Sequence, residues 1–104
     1  MSQNKILPTW AQLRREIELE VERLEHVGRA HRSWADRRRR QLASLPAEEI
    51  LAADRASRAR TARVREELVA ALTALNATVG QFNARVPVAS LQLMPFRIER
   101  FLDG

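Results

Sequence analysis

Residues 44–49, Ser44-Leu45-Pro46-Ala47-Glu48-Glu49, contain the signals that decide the fold. Proline is favoured in the first turn of a helix because it has no backbone N–H to leave unpaired there. Acidic side chains are favoured near the positive N-terminal end of a helix. The stretch therefore predicts the end of one helix, a tight bend and the start of a second helix. Two long helices joined by so short a connection are expected to fold back as an antiparallel hairpin.

Before the bend, the sequence predicts a helix that runs from Thr9, as N-cap after Pro8, to Ser44. Its apolar positions recur every three or four residues, which is the spacing of one stripe on a helix and not the alternation of a strand. The other faces are charged, with Glu25 and Arg29 at a favourable spacing of four. The stripe consists of Trp10, Leu13, Ile17, Val21, Leu24 and Val27, continued by His31 and Trp34.

After the bend, a second helix is predicted from Pro46 to Arg85. Pro87 ends it, since proline lacks a backbone donor and pushes Val86 toward extended geometry. The seam side chains of this helix are small in its first half and large in its second. They are Ile50, Ala53, Ser57, Thr61, Val64, Leu68, Leu72, Leu75, Val79 and Phe82.

Folding the two helices about the bend predicts which side chains face each other. Trp34 falls opposite Ala56 and Ser57, and Trp10 falls opposite Gly80 and Gln81, so a large residue meets a small one at both ends of the hairpin. A neighbouring tryptophan would explain Gly80, because glycine inside a helix costs about 1 kcal/mol relative to alanine. Gly28 has no such neighbour in this register, and a kink at this position is an alternative.

The last part of the chain, residues 86–104, is too apolar for a free linker. Two prolines disfavour a helix over residues 87–95, so an extended segment lying against the hairpin is expected there. A short helix is expected from Phe96 to Leu102, burying Phe96, Ile98 or Phe101, and Leu102. The chain is thus predicted to be one all-α domain, divided into an N-terminal arm (1–8), a long helical hairpin (9–85) with its turn near 44–47, and this tail (86–104).

Composition supports helices and restricts the location of the protein. The 104 residues are 45% hydrophobic and 30% charged, with 3 Gly, 4 Pro and no Cys. The lack of cysteine excludes disulfides and fits a reducing compartment. No apolar run is long enough for a signal-peptide core at the start of the chain, or for a membrane span. We therefore expect a cytoplasmic protein without a membrane span.

Candidate catalytic and metal-binding residues are few. His26 and His31 are five residues apart and fall on different helix faces, and Glu22 with His26 has helical ligand spacing but supplies only two ligands. The sequence contains no glycine-rich phosphate loop, no serine nucleophile motif and no His-Pro-Asp tripeptide. We expect no metal, no cofactor and no enzymatic activity.

Positive charge is concentrated around the bend. Residues 29–65, the arginine-rich end, hold eleven arginines against Asp36, Glu48, Glu49 and Asp54, a net charge of +7; the rest of the chain has a net charge of −2. Such a cluster can bind phosphates, with an affinity that falls steeply with salt. A solvated helical face is the alternative, because base-stacking aromatics are nearly absent. The candidate nucleic-acid-binding residues are Arg37, Arg38, Arg39, Arg40, Arg55 and Arg58.

The apolar stripes have two interpretations. They form the seam inside one chain, or their leftover faces are covered by a second copy or by another protein, since two helices alone bury only a narrow strip. A four-helix homodimer is one form of the second interpretation.

Two sequence motifs lie at the start and the end of the hairpin. Residues 7–17 fit the pattern Pro-x-Trp-x-x-Leu-x-x-Glu-Ile, and residues 75–87 fit Leu-Asn-x-x-Ile-x-x-Tyr/Phe-Asn-x-x-Val-Pro, with Val79 at the isoleucine. The pattern continues through residues 91–93 and 95–100. Together these stretches resemble the C-terminal half of the conserved domain named after the DnaJ homologue subfamily C member 28, which is widespread in bacteria.

The resemblance implies a structural role for Trp10, Asn76, Asn83, Val86 and Pro87. Asn76 and Asn83 are seven residues apart and share one helix face, so they are expected to bind the backbone of the extended tail and to fix the exit from the second helix. The Phe-Asp-Asn-Leu-Pro-Gly-type loop of the family and its J domain have no counterpart in these residues. The chaperone-stimulating activity implied by the family name is therefore not carried over to this chain.

Two functional hypotheses follow from the sequence. The leading one is a non-catalytic helical protein-interaction module, chaperone-associated according to the resemblance, that docks on a protein partner or on a second copy of itself. The alternative is an RNA- or ribosome-binding protein that uses the arginine-rich end of the hairpin.

Overall fold

The computed structural model describes residues 9–103, which form two long helices, a 3₁₀ turn and a short third helix. Helix α1 spans Trp10–Leu42, α2 spans Ala47–Arg85, the 3₁₀ turn spans Ala89–Leu91 and α3 spans Glu99–Leu102. α1 and α2 lie side by side as a hairpin, and α3 packs on α1. The predicted all-α hairpin with a short terminal helix is confirmed. The predicted N-terminal arm, residues 1–8, lies outside the described residues, as does Gly104.

Helix α1 begins where Thr9 predicts. The Thr9 backbone N–H donates to Gln12 Oε1 (2.8 Å), and the Gln12 N–H donates to Thr9 Oγ1 (3.2 Å), so the two residues form a reciprocal capping box. α1 ends at Leu42, two residues before the predicted Ser44, because the Ser44 N–H turns back to the Gln41 carbonyl in a tighter i to i+3 bond.

Helix α2 has the predicted limits. Pro46 occupies its N-cap and two acidic residues lie in its first turn. It ends at Arg85, and Val86 is extended (φ −73°, ψ 134°), which is the geometry that Pro87 favours in the residue before it.

The molecule is long and thin. The principal-axis extents are 67 × 34 × 15 Å and the radius of gyration is 19.3 Å, against about 13 Å for a compact domain of this length. The smallest extent exceeds the diameter of one helix, about 10–12 Å, by only a few ångströms. The helices therefore form a single layer, and side chains outside the seam are covered only where the tail lies on the hairpin.

All buried hydrophobic side chains of the described residues belong to one end of this layer. This end comprises residues 9–28 and 66–103 and is called the tail-clasped end below. The arginine-rich end, residues 29–65, contains one buried residue, His31. The core thus sits where three segments meet, and not along the whole hairpin. Its members are Leu13, Ile17, Leu24, Leu68, Leu72, Leu75, Val79, Phe82 and Phe101.

Two details of the predicted seam are wrong. Thr61 is exposed, whereas Ser57 and Val64 on either side of it are half-buried. At Gly80, an added Cβ would meet no heavy atom within 4 Å beyond its immediate surroundings, so no tryptophan occupies the space there. Trp10 instead packs edge-on against Phe82, with ring centroids 6.4 Å apart.

The tail is held by two asparagine side chains of α2. Asn83 Nδ2 donates to the Leu93 carbonyl (2.9 Å), and Asn83 Oδ1 accepts from the Leu93 N–H (2.8 Å). Asn76 makes the same pair of bonds with Phe96, at 3.1 and 2.9 Å. Each amide therefore offers the tail one donor and one acceptor, as a neighbouring strand would. Both asparagines bind the tail backbone, as their shared helix face predicts.

Helix α3 starts later than the sequence predicts. In a helix beginning at Phe96, the Arg100 N–H would donate to the Phe96 carbonyl. It donates to the Arg97 carbonyl instead, while the Phe96 carbonyl points to Asn76 and accepts from its Nδ2, and the helix starts at Glu99. The segment before it contains the 3₁₀ turn and is otherwise irregular.

Gly28 allows α3 to approach the backbone of α1. A Cβ at position 28 would lie 1.9 Å from the Phe101 carbonyl oxygen, a distance that no side chain can tolerate. Arg32, one turn later on α1, donates to the same oxygen at 2.7 Å. α1 continues through Gly28 as one helix, so the role of this glycine is close packing.

Candidate binding surface

The six arginines predicted to bind nucleic acid lie on both helices of the arginine-rich end. Arg37 to Arg40 occupy the last part of α1, and Arg55 and Arg58 lie near the start of α2. All six are exposed except Arg38, which is half-buried. The hairpin therefore brings two separate stretches of sequence to the same end of the molecule.

An open groove of about 430 Å³ lies between α1 and α2 at this end; we call it the arginine groove. Its lining combines the apolar side chains of Trp34, Ala35, Leu42 and Ala62 with four arginines. It is lined by Trp34, Ala35, Arg38, Arg39 and Leu42 of α1 and by Asp54, Ser57, Arg58, Thr61, Ala62 and Arg65 of α2.

The structure separates the predicted arginines into two groups. Arg38, Arg39 and Arg58 line the arginine groove, whereas Arg37, Arg40 and Arg55 do not. Arg38 also ties the helices together, since its Nε donates to Ser57 Oγ across the hairpin at 3.1 Å. The predicted cluster is thus partly a groove and partly solvated surface.

Most charges of the arginine-rich end have no partner of opposite sign. Arg39 pairs with Asp36 (3.3 Å) and Arg58 with Asp54 (3.0 Å), both as neighbours within one helix. Among the described residues, no carboxylate lies within 4.0 Å of the other nine arginines of residues 29–65. The positive charge of this end is therefore largely available to a ligand.

In the tail-clasped end, by contrast, most of the arginines are paired with carboxylates. Arg23 donates twice to Glu20, at 2.7 Å each, and these bonds hold the pKa of the Glu20 carboxyl below its ordinary value. Further pairs join Arg14 to Glu18 and Arg100 to Glu25. Four of the six arginines of this end, Arg14, Arg15, Arg23 and Arg100, thus have a carboxylate within 4.0 Å.

Trp34 is the one aromatic residue that lines the arginine groove. The Arg60 guanidinium lies 4.2 Å from the centroid of its ring, and the His31 ring stacks on it with a centroid distance of 5.7 Å. The tryptophan is half-buried. It is therefore occupied by intramolecular contacts and does not stand out as a free platform for a nucleobase.

His31 marks the border between the two ends. It is 9% exposed, and its Nδ1 has no hydrogen-bond partner. Burial lowers the pKa of His31, and the positive charges of Arg60 and Arg32 lower it further. The neutral imidazole is therefore the form that this site favours.

Among residues 9–103, no three histidine, aspartate or glutamate side chains are grouped in a way that would hold a metal ion. None of the helices there combines the length and the apolar character that crossing a membrane requires.

The chain matches no protein-family model, no curated protein and no solved structure. The function is therefore inferred from the geometry of the two ends. The arginines were predictable from the sequence, whereas the groove and the bond by which Arg32 holds the tail were not. The small side chains of Ala35 and Ala62 were the one available signal for a groove, and alanines are too common in helices to decide it.

Proposed function

We propose that this chain is a non-catalytic protein-interaction module whose arginine-rich end docks on another protein. One observation carries the proposal: among the described residues, all nine buried hydrophobic side chains lie in the tail-clasped end, while the arginine-rich end projects as a two-helix layer with no core of its own. Leu51 in this end is 72% exposed. A helix pair that buries little of its own apolar surface is suited to covering it with a partner.

The partner is proposed to be a different protein, and not a second copy joined through the same ends. Each arginine-rich end has a net charge of +7, so two such ends brought together repel each other. The resemblance to the DnaJ homologue subfamily C member 28 domain favours a chaperone-associated setting for this interaction.

Site-specific photo-crosslinking in cells of the native host tests the proposal. A photoreactive amino acid in place of Leu51 is expected to crosslink to a discrete protein. The matched control replaces Val69, which is 48% exposed in the tail-clasped end, and is expected to give no such product. Equal products at both positions, or none at position 51, would contradict the proposed function.

RNA or ribosome binding is the second candidate, favoured by the nine arginines that lack a carboxylate partner. Binding of single-stranded RNA should weaken linearly in log affinity against log salt, with a slope of about −0.7 per neutralised phosphate. Replacement of Arg37, Arg38, Arg39 and Arg40 by Gln should remove most of the affinity. RNA binding that survives both changes would rule out this candidate.

A further inference from the structure

We propose that the arginine groove is the docking site for an amphipathic helix of a partner protein, with an apolar stripe flanked by glutamate or aspartate. This inference rests on the proposed function and names the chemistry of the partner. It comes from two features that occur together in the groove: apolar side chains contributed by both helices and an excess of positive charge.

The shape of the groove fits a helix. The groove follows α1 from Trp34 to Leu42, which at 1.5 Å per residue is about 12 Å, or a little more than two turns. A third helix laid between α1 and α2 would complete a small bundle, and its apolar residues at spacings of three and four would face Ala35, Leu42 and Ala62. Small alanines on both helices let such a helix approach closely.

The charge of the groove selects the flanks of that helix. Arg38, Arg39, Arg58 and Arg65 take part in the lining against the single carboxylate of Asp54. Arg38 and Arg65 have no carboxylate within 4.0 Å among the described residues. Guanidinium groups bind carboxylates with paired N–H donors, so acidic residues on either side of the apolar stripe would be held in a fixed register.

The same observations favour a protein helix over a nucleic acid. A phosphate backbone would use the arginines but would leave the apolar lining uncovered. Nucleobases would need a free aromatic face, and the ring of Trp34 already contacts Arg60 and His31. The net charge of +7 also argues against a second arginine-rich end as the occupant.

A synthetic peptide titrated onto the full chain provides the test. The probe is an 18-residue helix with leucines along one face and glutamates on both flanks. One control peptide has the same composition in an order that spreads the leucines around the helix, and another has lysine at each glutamate. Fluorescence anisotropy at about 150 mM salt measures the affinities, with a 20-nucleotide single-stranded RNA measured in parallel.

Matched variants separate groove binding from charge attraction. Ala62→Trp fills the groove without changing charge, and Ala59→Trp places the same ring on an exposed position of α2 outside the groove lining. Thr61→Trp is a second filling variant, to be used if circular dichroism shows that Ala62→Trp does not fold. A charge variant replaces four arginines of the groove by Gln: Arg38, Arg39, Arg58 and Arg65. Its control replaces four arginines of the tail-clasped end by Gln: Arg14, Arg15, Arg85 and Arg97.

The acidic peptide is expected to bind the unaltered chain. Its affinity should fall about tenfold or more in the variants that fill the groove and in the groove charge variant, and should change little in the two control variants. Equal binding of the scrambled peptide, or no loss with the filling variants, would overturn the inference. RNA binding that is insensitive to Ala62→Trp, with no peptide binding, would overturn it in favour of a nucleic acid. If the peptide fails while position 51 still crosslinks to a protein in cells, this inference falls and the proposed function stands.

Discussion

The two ends of this hairpin are made of the same two helices but differ in how they are stabilised. In the tail-clasped end, nine hydrophobic residues are buried, and charged side chains form pairs such as Arg23 with Glu20. In the arginine-rich end, only His31 is buried, and nine of eleven arginines have no carboxylate partner among the described residues. The difference follows from the tail, which lies on one end and not on the other.

This comparison shows how a single layer of two helices acquires a core. Two helices in contact bury a narrow strip, and full burial requires a third segment on top of it. Phe101 of α3 supplies that cover and is 1% exposed. Where the cover ends, beyond Gly28 and Arg32, the groove between the helices opens. The uncovered end is therefore free to bind something else.

The strongest test of the comparison truncates one leucine at each end. Leu24→Ala should lower the free energy of unfolding by about 2–5 kcal/mol, because Leu24 is 1% exposed and its loss leaves a cavity in the core. Leu51→Ala at the arginine-rich end should change it by no more than about 0.5 kcal/mol. Urea unfolding followed by circular dichroism measures both. Similar losses at the two positions would show that the arginine-rich end has a core as well.

Two glycines provide the second test, since they lie in helices of the same hairpin but in different surroundings. Gly28→Ala should destabilise the fold by about 1–3 kcal/mol, because the new methyl group clashes with the Phe101 carbonyl. Gly80→Ala should stabilise it by about 1 kcal/mol, because alanine is the better helix former and nothing crowds the site. Thermal unfolding of both variants checks the opposite signs. A neutral Gly28→Ala would mean that α3 does not pack against this turn of α1.

Loss of the hydrogen bonds between Asn83 and the tail gives a third, smaller effect. Asn83→Ala removes both hydrogen bonds to Leu93 and should cost about 1 kcal/mol, since the freed backbone groups are only partly shielded from water. Hydrogen exchange at the Leu93 amide should accelerate. The control, Gln81→Ala, changes an exposed residue two positions away and should leave that exchange rate unchanged. An unchanged exchange rate in Asn83→Ala would contradict the hydrogen bonding of Asn83 to Leu93.

The smallest expected effect is a pH dependence at the border between the ends. Because the pKa of folded His31 is lowered by burial and by Arg60 and Arg32, the unfolded chain takes up a proton at a higher pH than the folded chain does. The contribution of neutral His31 to the free energy of unfolding is therefore complete above the ordinary histidine pKa of about 6.5. It is lost progressively as the pH falls from there toward the lower pKa of His31 in the folded state.

Urea unfolding between about pH 5.5 and 7.5 measures this dependence, a range chosen to lie above the ordinary carboxyl pKa values. His31→Gln should flatten it, and His26→Gln, which changes an exposed residue, should preserve it. Stability that rises as the pH falls through this range would contradict the assignment.

Much of the fold was predictable because its signals are local. The cap at Thr9, the turn around Pro46 and the extended Val86 before Pro87 each depend on residues within four positions of one another. The contacts of Asn76 and Asn83 were also predictable, since a spacing of seven places both on one face of a helix. The two wrong predictions, burial of Thr61 and a tryptophan next to Gly80, concern contacts with the other helix, which the periodicity of one helix does not specify.

The candidate site was less predictable than the fold. The sequence identified Arg38, Arg39 and Arg58 as part of a basic cluster. It did not separate them from Arg37, Arg40 and Arg55, because lining a groove depends on the rotation of each helix about its axis. A run of four arginines points in every direction around a helix, and only the packed pair decides which of them face the groove.

Two long helices, an antiparallel turn and a concentration of positive charge at one end are specified along the chain, through periodicity, proline geometry and composition. The position of the tail depends on packing between distant segments. Arg32 and Phe101 meet across 69 positions of sequence, and Gly28 becomes a contact site only once α3 lies on it. That packing divides the hairpin into a covered end and an open end. The burial of a side chain depends on which distant segments lie against it, and the local sequence pattern does not specify them.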